Sequence, residues 1–148
     1  MIAFIRPDAW DFPLFVHVLG AIGLFGGVAA VALISFAGER MPAQAVFARR
    51  TAFVTLIAVV WPAYIVMRAG AQLIYNKEDL DPDMPTWIKL GIAVGDGGAL
   101  VLIGLTVLGW LALSRRPNVS KYFAGLAGLY LVALFIAWWA MSAKPGAP

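Results

Sequence analysis

The sequence contains no cysteine and a single histidine, and only 13% of its residues are Asp, Glu, Lys or Arg. Each scarcity removes a class of protein. Without cysteine there is no disulfide framework, no thiolate metal site and no cysteine nucleophile. One histidine, His17, cannot supply both axial ligands of a haem within one chain. The charged fraction is about half the roughly 25% of an ordinary soluble domain. Apolar residues fill the deficit, at 62% where roughly 45–50% is usual. One core in a chain of 148 residues cannot hide that much apolar surface. Lipid is therefore the expected solvent. The net charge of +3 does not point to nucleic acid, because the basic residues fall in two short clusters between apolar runs. Such clusters read as topology signals.

Four apolar runs stand out, at about 12–37, 51–75, 87–113 and 122–141. Each reaches the roughly 20 residues a helix needs to cross a hydrocarbon core, and helix is the spanning form that satisfies its own backbone. The expected fold is all-α: one integral membrane domain, 1–148, formed by a four-transmembrane-helix bundle. Asp11 with Pro13, Pro85 with Thr86, and Asn118 or Ser120 offer helix starts. Arg40, Arg49 and Arg50 follow the first run, and Arg115, Arg116 and Lys121 follow the third. The second connection, NKEDLDPDMP, holds one lysine among four acids. The positive-inside rule then puts the first and third connections in the cytoplasm and both termini on the non-cytoplasmic side. The start of the chain has no basic n-region, so the first run is expected to be retained as a helix. Trp10, Trp87, Trp138 and Trp139 would lie at the outer interface and Trp110 near the inner one.

Glycines recur at helical spacing: Gly20, Gly23 and Gly27; Gly91, Gly95 and Gly98; Gly125 and Gly128. They permit close helix approach, either within the chain or in an oligomer. Pro62 removes a helical hydrogen bond, so a kink is expected there, with the Ala58 carbonyl released.

The polar residues inside the runs carry the functional question. The stretch GIAVGDGGAL places Asp96 nine residues past Trp87, roughly 13 Å inward at about 1.5 Å per residue. Arg68 lies seven residues before Tyr75 on the preceding run, roughly 10 Å inward from the same side. His17 lies six residues past Asp11, roughly 9 Å down. The inner half has no ionisable counterpart. An unpaired charge at mid-helix costs about 2.5–3.5 kcal/mol on insertion scales. Pairing Arg68 with Asp96 lowers that cost, and Gly95, Gly97 and Gly98 leave room for the guanidinium. The expected arrangement is an ion pair facing the bundle interior, with Tyr64, Gln72 and Tyr75 on the Arg68 face at i−4, i+4 and i+7. The polar cluster of His17, Tyr64, Arg68, Gln72 and Asp96 would form a small cavity open to the outside. Against this stands a plain packing role, since buried ion pairs also set helix register, and Arg68 alone can snorkel to the headgroups. His17 is expected either to be neutral and bonded to a backbone carbonyl, or to carry protons with Asp96 or Gln72 as relays.

Other chemistries have less support. Haem b could use His17 with Met67, or two copies of His17 across a dimer, with Arg68 on a propionate. The five methionines are scattered and read as apolar filler. Ser35 lies eighteen residues below His17, roughly 27 Å along a helix, too far for nucleophilic catalysis. GDGG sits within a helical run and is no phosphate loop. No enzyme signature is present.

The opening run, LFVHVLGAIGLFGG from Leu14 to Gly27, resembles small bacterial four-helix integral membrane proteins of uncharacterised function. It is also similar to the opening helix of copper-resistance D type membrane domains. Those have His-x-x-Gly followed by Gly-Gly, with arginines after the helix, matched here by His17, Gly20, Gly26, Gly27, Arg49 and Arg50. The likeness covers one helix and its following loop. It implies a multi-pass protein of the bacterial cytoplasmic (inner) membrane, with His17 as the candidate metal or haem ligand. This chain lacks the further histidines such domains tend to carry. The resulting expectation is a homo-oligomer or a subunit of a larger membrane complex. It would conduct or sense a small ion or solute, and the alternative is a haem-binding electron-transfer protein.

Overall fold

The computed structural model describes residues 11–76, 86–114 and 117–143. Every regular element among them is helical. Helix α1 spans Asp11–Arg40, α2 Ala45–Thr55, α3 Trp61–Tyr75, α4 Thr86–Ser114 and α5 Ser120–Ala143. Short 3₁₀ turns, Pro42–Gln44 and Pro117–Val119, lead into α2 and α5. A π-helical turn, Leu56–Val60, joins α2 to α3 without interruption. Four spans result, of 30, 34, 29 and 24 residues, each long and apolar enough to cross a membrane.

The second span begins earlier than its apolar run. Arg49 and Arg50 lie on α2, not in a connection. Two features let the helix continue through them. Pro42 opens the 3₁₀ turn at a position where its missing donor costs nothing. The Arg49 Nε then donates to the carbonyl of Ala45 at 3.0 Å, one turn back. The other spans extend one to three residues beyond their expected ends, as capped helix termini commonly do. Asp11 stands in the first turn of α1 and Arg40 in its last, each with the sign the helix dipole favours. Trp10, Pro85, Arg115 and Arg116 lie outside the described residues, as does all of the acidic connection after Asn76.

A π-helical turn stands just before Pro62. The Trp61 amide bonds the carbonyl of Leu56, five residues back. Such a turn is a place where helices bend, beside a proline whose missing donor leaves one bond unmade.

The spans form a ring in chain order. α1 packs against the second span and against α5, and α4 packs against α5 and, near its C-terminal end, against α2. The core is Leu24, Val28, Val31, Leu56, Val60, Leu102, Leu105 and Phe123, all sealed from the surface. Large apolar side chains such as Phe15, Ile22, Leu33, Ile65, Leu100 and Leu129 face outward instead. That inversion suits a lipid surround.

Close packing is strongest between α1 and α3. A β-carbon at Gly20 would run into the backbone of Met67, and one at Gly70 into the backbone of His17. The two glycines let two backbones touch at reciprocal positions. Two turns further along, a β-carbon at Gly27 would come within 2.9 Å of Val60 Cγ2. With lipid on every side, such van der Waals contact is the main force available for helix association.

Candidate functional site

The seam between α3 and α4 is built on the opposite plan. Their backbones stand apart, and long polar side chains reach across. Three bridges occur along one face of α3. The Trp61 indole N–H donates to Thr106 Oγ1 at 3.0 Å, and that hydroxyl donates to the Leu102 carbonyl at 2.8 Å. The Tyr64 hydroxyl donates to the Gly95 carbonyl at 3.0 Å. Arg68 Nη2 lies 2.5 Å from Asp96 Oδ1. Positions 61, 64 and 68 are three and four apart, so their side chains form one row. Gly95 gives the row its room: a β-carbon there would lie 3.3 Å from Arg68 Nη1. At Gly98 a β-carbon would collide with the Tyr130 hydroxyl, which is buried and has no hydrogen-bond partner among the described residues.

The Arg68–Asp96 pair is the one salt bridge among the described residues. It does not face the bundle interior. The Arg68 side chain is 35% exposed and that of Asp96 is 56% exposed, so the pair lies at the rim of the bundle. The cause is the splay of the seam: Tyr64 occupies the inner position, is buried, and leaves the next turn of α3 to point outward. Beside the pair is a cavity of about 350 Å³ lined by Arg68, Ala71, Gln72, Tyr75, Ile92 and Asp96. Gln72 and Tyr75 thus share the cavity with Arg68, whereas Tyr64 lies beneath it. The Gln72 amide donates to Asn76 Oδ1 at 2.8 Å.

His17 belongs to a separate place. Its Nδ1 lies 3.0 Å from the carbonyl of Met67, on the α1–α3 seam. A carbonyl only accepts, so Nδ1 is the donor in this contact. Among the described residues no hydrogen bond joins His17 to Gln72 or Asp96, and no proton relay is assembled. Met67 is buried in the core. Because the α1 and α3 backbones touch at Gly20 and Gly70, no gap exists between His17 and Met67 for a porphyrin. A haem held by that pair within one chain does not fit. Among the described residues no three His, Asp or Glu side chains converge on a metal position.

Sequence reasoning had started the polar row at Tyr64 and missed its first member. That member is Trp61, whose spacing to Tyr64 and Arg68 is the helical repeat. Thr106 gave a fainter signal, one hydroxyl in an apolar run ten residues past Asp96.

Fold and site together define a class: a helical protein with four spans of membrane-crossing length and one polar seam. The chain matches no protein-family model, no characterised protein and no solved structure.

Proposed function

We propose that this chain is a multi-pass protein of the bacterial inner membrane that binds a small polar solute, or a polar side chain of a partner subunit, in the α3–α4 groove. Its termini face the non-cytoplasmic side, a reading supported by the arginines that precede or lie on α2 and precede α5. The groove then opens outward. The observation that carries the reading is the exposed Arg68–Asp96 pair beside a cavity of about 350 Å³. Arg68, Asp96, Gln72 and Tyr75 offer both charge signs, an amide and a phenol to one occupant. An intramembrane ionisable pair at a cavity is a functional feature by default.

Of sensing and conducting, the geometry supports sensing. Below Tyr64 and Tyr130 the core is sealed by Leu56, Leu102, Leu105 and Phe123. A single bundle therefore offers no polar path to the other leaflet. Transport would need a further copy or partner to supply the inner half.

Reconstitution separates these possibilities. Proteoliposomes are expected to pass ions no faster than empty liposomes, and Asp96→Asn should leave that leak unchanged. In detergent, thermal unfolding is expected to shift upward with a bound zwitterionic or polar solute, and the shift should vanish in Asp96→Asn. Flux that depends on Asp96 would overturn the sensing reading.

A second reading rests on His17. With Nδ1 fixed by a carbonyl, its Nε2 is preset as a ligand, and a pair of copies could share one haem. A Soret band that disappears in His17→Ala would favour it over the groove.

A further inference from the structure

The other end of the bundle holds a second cavity, of about 270 Å³, between the C-terminal end of α1, the start of the second span and the start of α5. Its polar lining is Glu39, Arg49, Asn118, Ser120 and Lys121. We infer that it binds the phosphoglycerol headgroup of an anionic membrane phospholipid. This site is independent of the groove and of its occupant.

The charges in this cavity are unbalanced. Arg49 is aimed by two carbonyls, its Nε on Ala45 and its Nη1 on Ala112 at 3.5 Å. Neither carbonyl neutralises the guanidinium, and among the described residues its Nη2 has no hydrogen-bond partner. Lys121 Nζ lies 5.1 Å over the Tyr122 ring, and no carboxylate meets it among the described residues. Two cations therefore stand at one cavity with a single acid, Glu39. The Glu39 carboxylate accepts from the Ser120 hydroxyl, which is buried.

The location names the ligand's source. Helix ends of membrane-crossing spans lie at headgroup depth, and basic pockets between them on the cytoplasmic side suit anionic lipid heads. Phe36, whose ring would lie 3.2 Å from a β-carbon at Gly128 on the α1–α5 seam, supplies an apolar wall one turn inward for an acyl chain. Glu39 selects among headgroups. Its carboxylate would repel a bare dianionic phosphate but accept a hydrogen bond from a glycerol hydroxyl. Arg49 and Lys121 then hold the phosphodiester.

The test is lipid retention. The full chain is reconstituted in vesicles of equal parts phosphatidylglycerol, phosphatidic acid and phosphatidylcholine, extracted, and its bound lipid identified by mass spectrometry. Phosphatidylglycerol should dominate. Lys121→Gln should lower its retention about fivefold and Arg49→Gln by a similar factor, the loss of one cation near a lipid head. Glu39→Gln should erase the preference over phosphatidic acid. Lys121→Gln decides the matter if Arg49→Gln fails to fold, because among the described residues Lys121 makes no salt bridge, and its one ring contact is on its own helix. Equal retention of all three lipids would overturn the proposal. So would an equal loss in Arg40→Gln/Arg50→Gln, whose cations lie outside the cavity. Displacement of the lipid by soluble glycerol 3-phosphate would reassign the cavity to a free phosphate ester and refute the lipid assignment.

Discussion

Two seams meet α3 from opposite sides, and they hold their helices by contrary means. Toward α1 the helix offers Gly70 and receives Gly20, so backbones touch and nothing polar is needed except one imidazole on one carbonyl. Toward α4 it offers Trp61, Tyr64 and Arg68, so the backbones are propped apart and polar groups meet mid-gap. In lipid both devices work, because neither relies on expelling water. Their consequences differ. The close seam has no volume to spare, and the propped seam ends in a cavity at the rim. A small-residue seam makes a scaffold, and a long-polar-residue seam makes room.

The contrast can be broken at its tightest point first. Gly70→Leu or Gly20→Leu should cost about 3 kcal/mol or more, the upper range for overpacking, because a backbone must move. Reversible unfolding in bicelles reads this. Gly26→Leu on the same α1 helix should cost little, since a β-carbon there meets nothing within 4 Å. If Gly26→Leu and Gly20→Leu were equally damaging, the α1–α3 contact would not be the cause.

The propped seam should yield smaller numbers. Arg68→Gln and Asp96→Asn each leave one charge without its partner. The double mutant should recover part of the loss, with a coupling of about 1–2 kcal/mol for a charge-assisted bond at the bundle rim. Singles without effect, and a double no different from them, would dissolve the pair as an energetic unit. Smaller again are the neutral bridges. Tyr64→Phe and Trp61→Phe should each cost about 0.6 kcal/mol, the average for a hydrogen bond between membrane helices.

These sizes bear on how much could be read before any coordinates. The four spans were legible, because runs of twenty apolar residues have few alternatives. The partnership of Arg68 with Asp96 was legible too, from equal depth on neighbouring helices. Its direction was not. Depth along a helix follows from residue counting, but azimuth depends on how far apart the axes stand. That distance was set by Tyr64 and Trp61 filling the gap, a packing outcome that spacing alone does not dictate. His17 was drawn into the cluster for the same reason: it shares the depth but sits on the other face of α3, against Met67 and Gly70. At Pro62 the missing donor was evident, while the π turn just before it leaves no mark in residue spacing.

The absence of native cysteine makes the decisive experiment clean, since any introduced thiol is unique. Single cysteines at Ala71 and Ile92, on the two walls of the groove, and at Leu102, in the sealed core, are challenged in membranes with a charged, impermeant thiol reagent. Ala71→Cys and Ile92→Cys are expected to react from the non-cytoplasmic side alone, and Leu102→Cys from neither. Silence at both groove positions, or equal reaction from the two sides, would contradict a wet, one-sided cavity between α3 and α4.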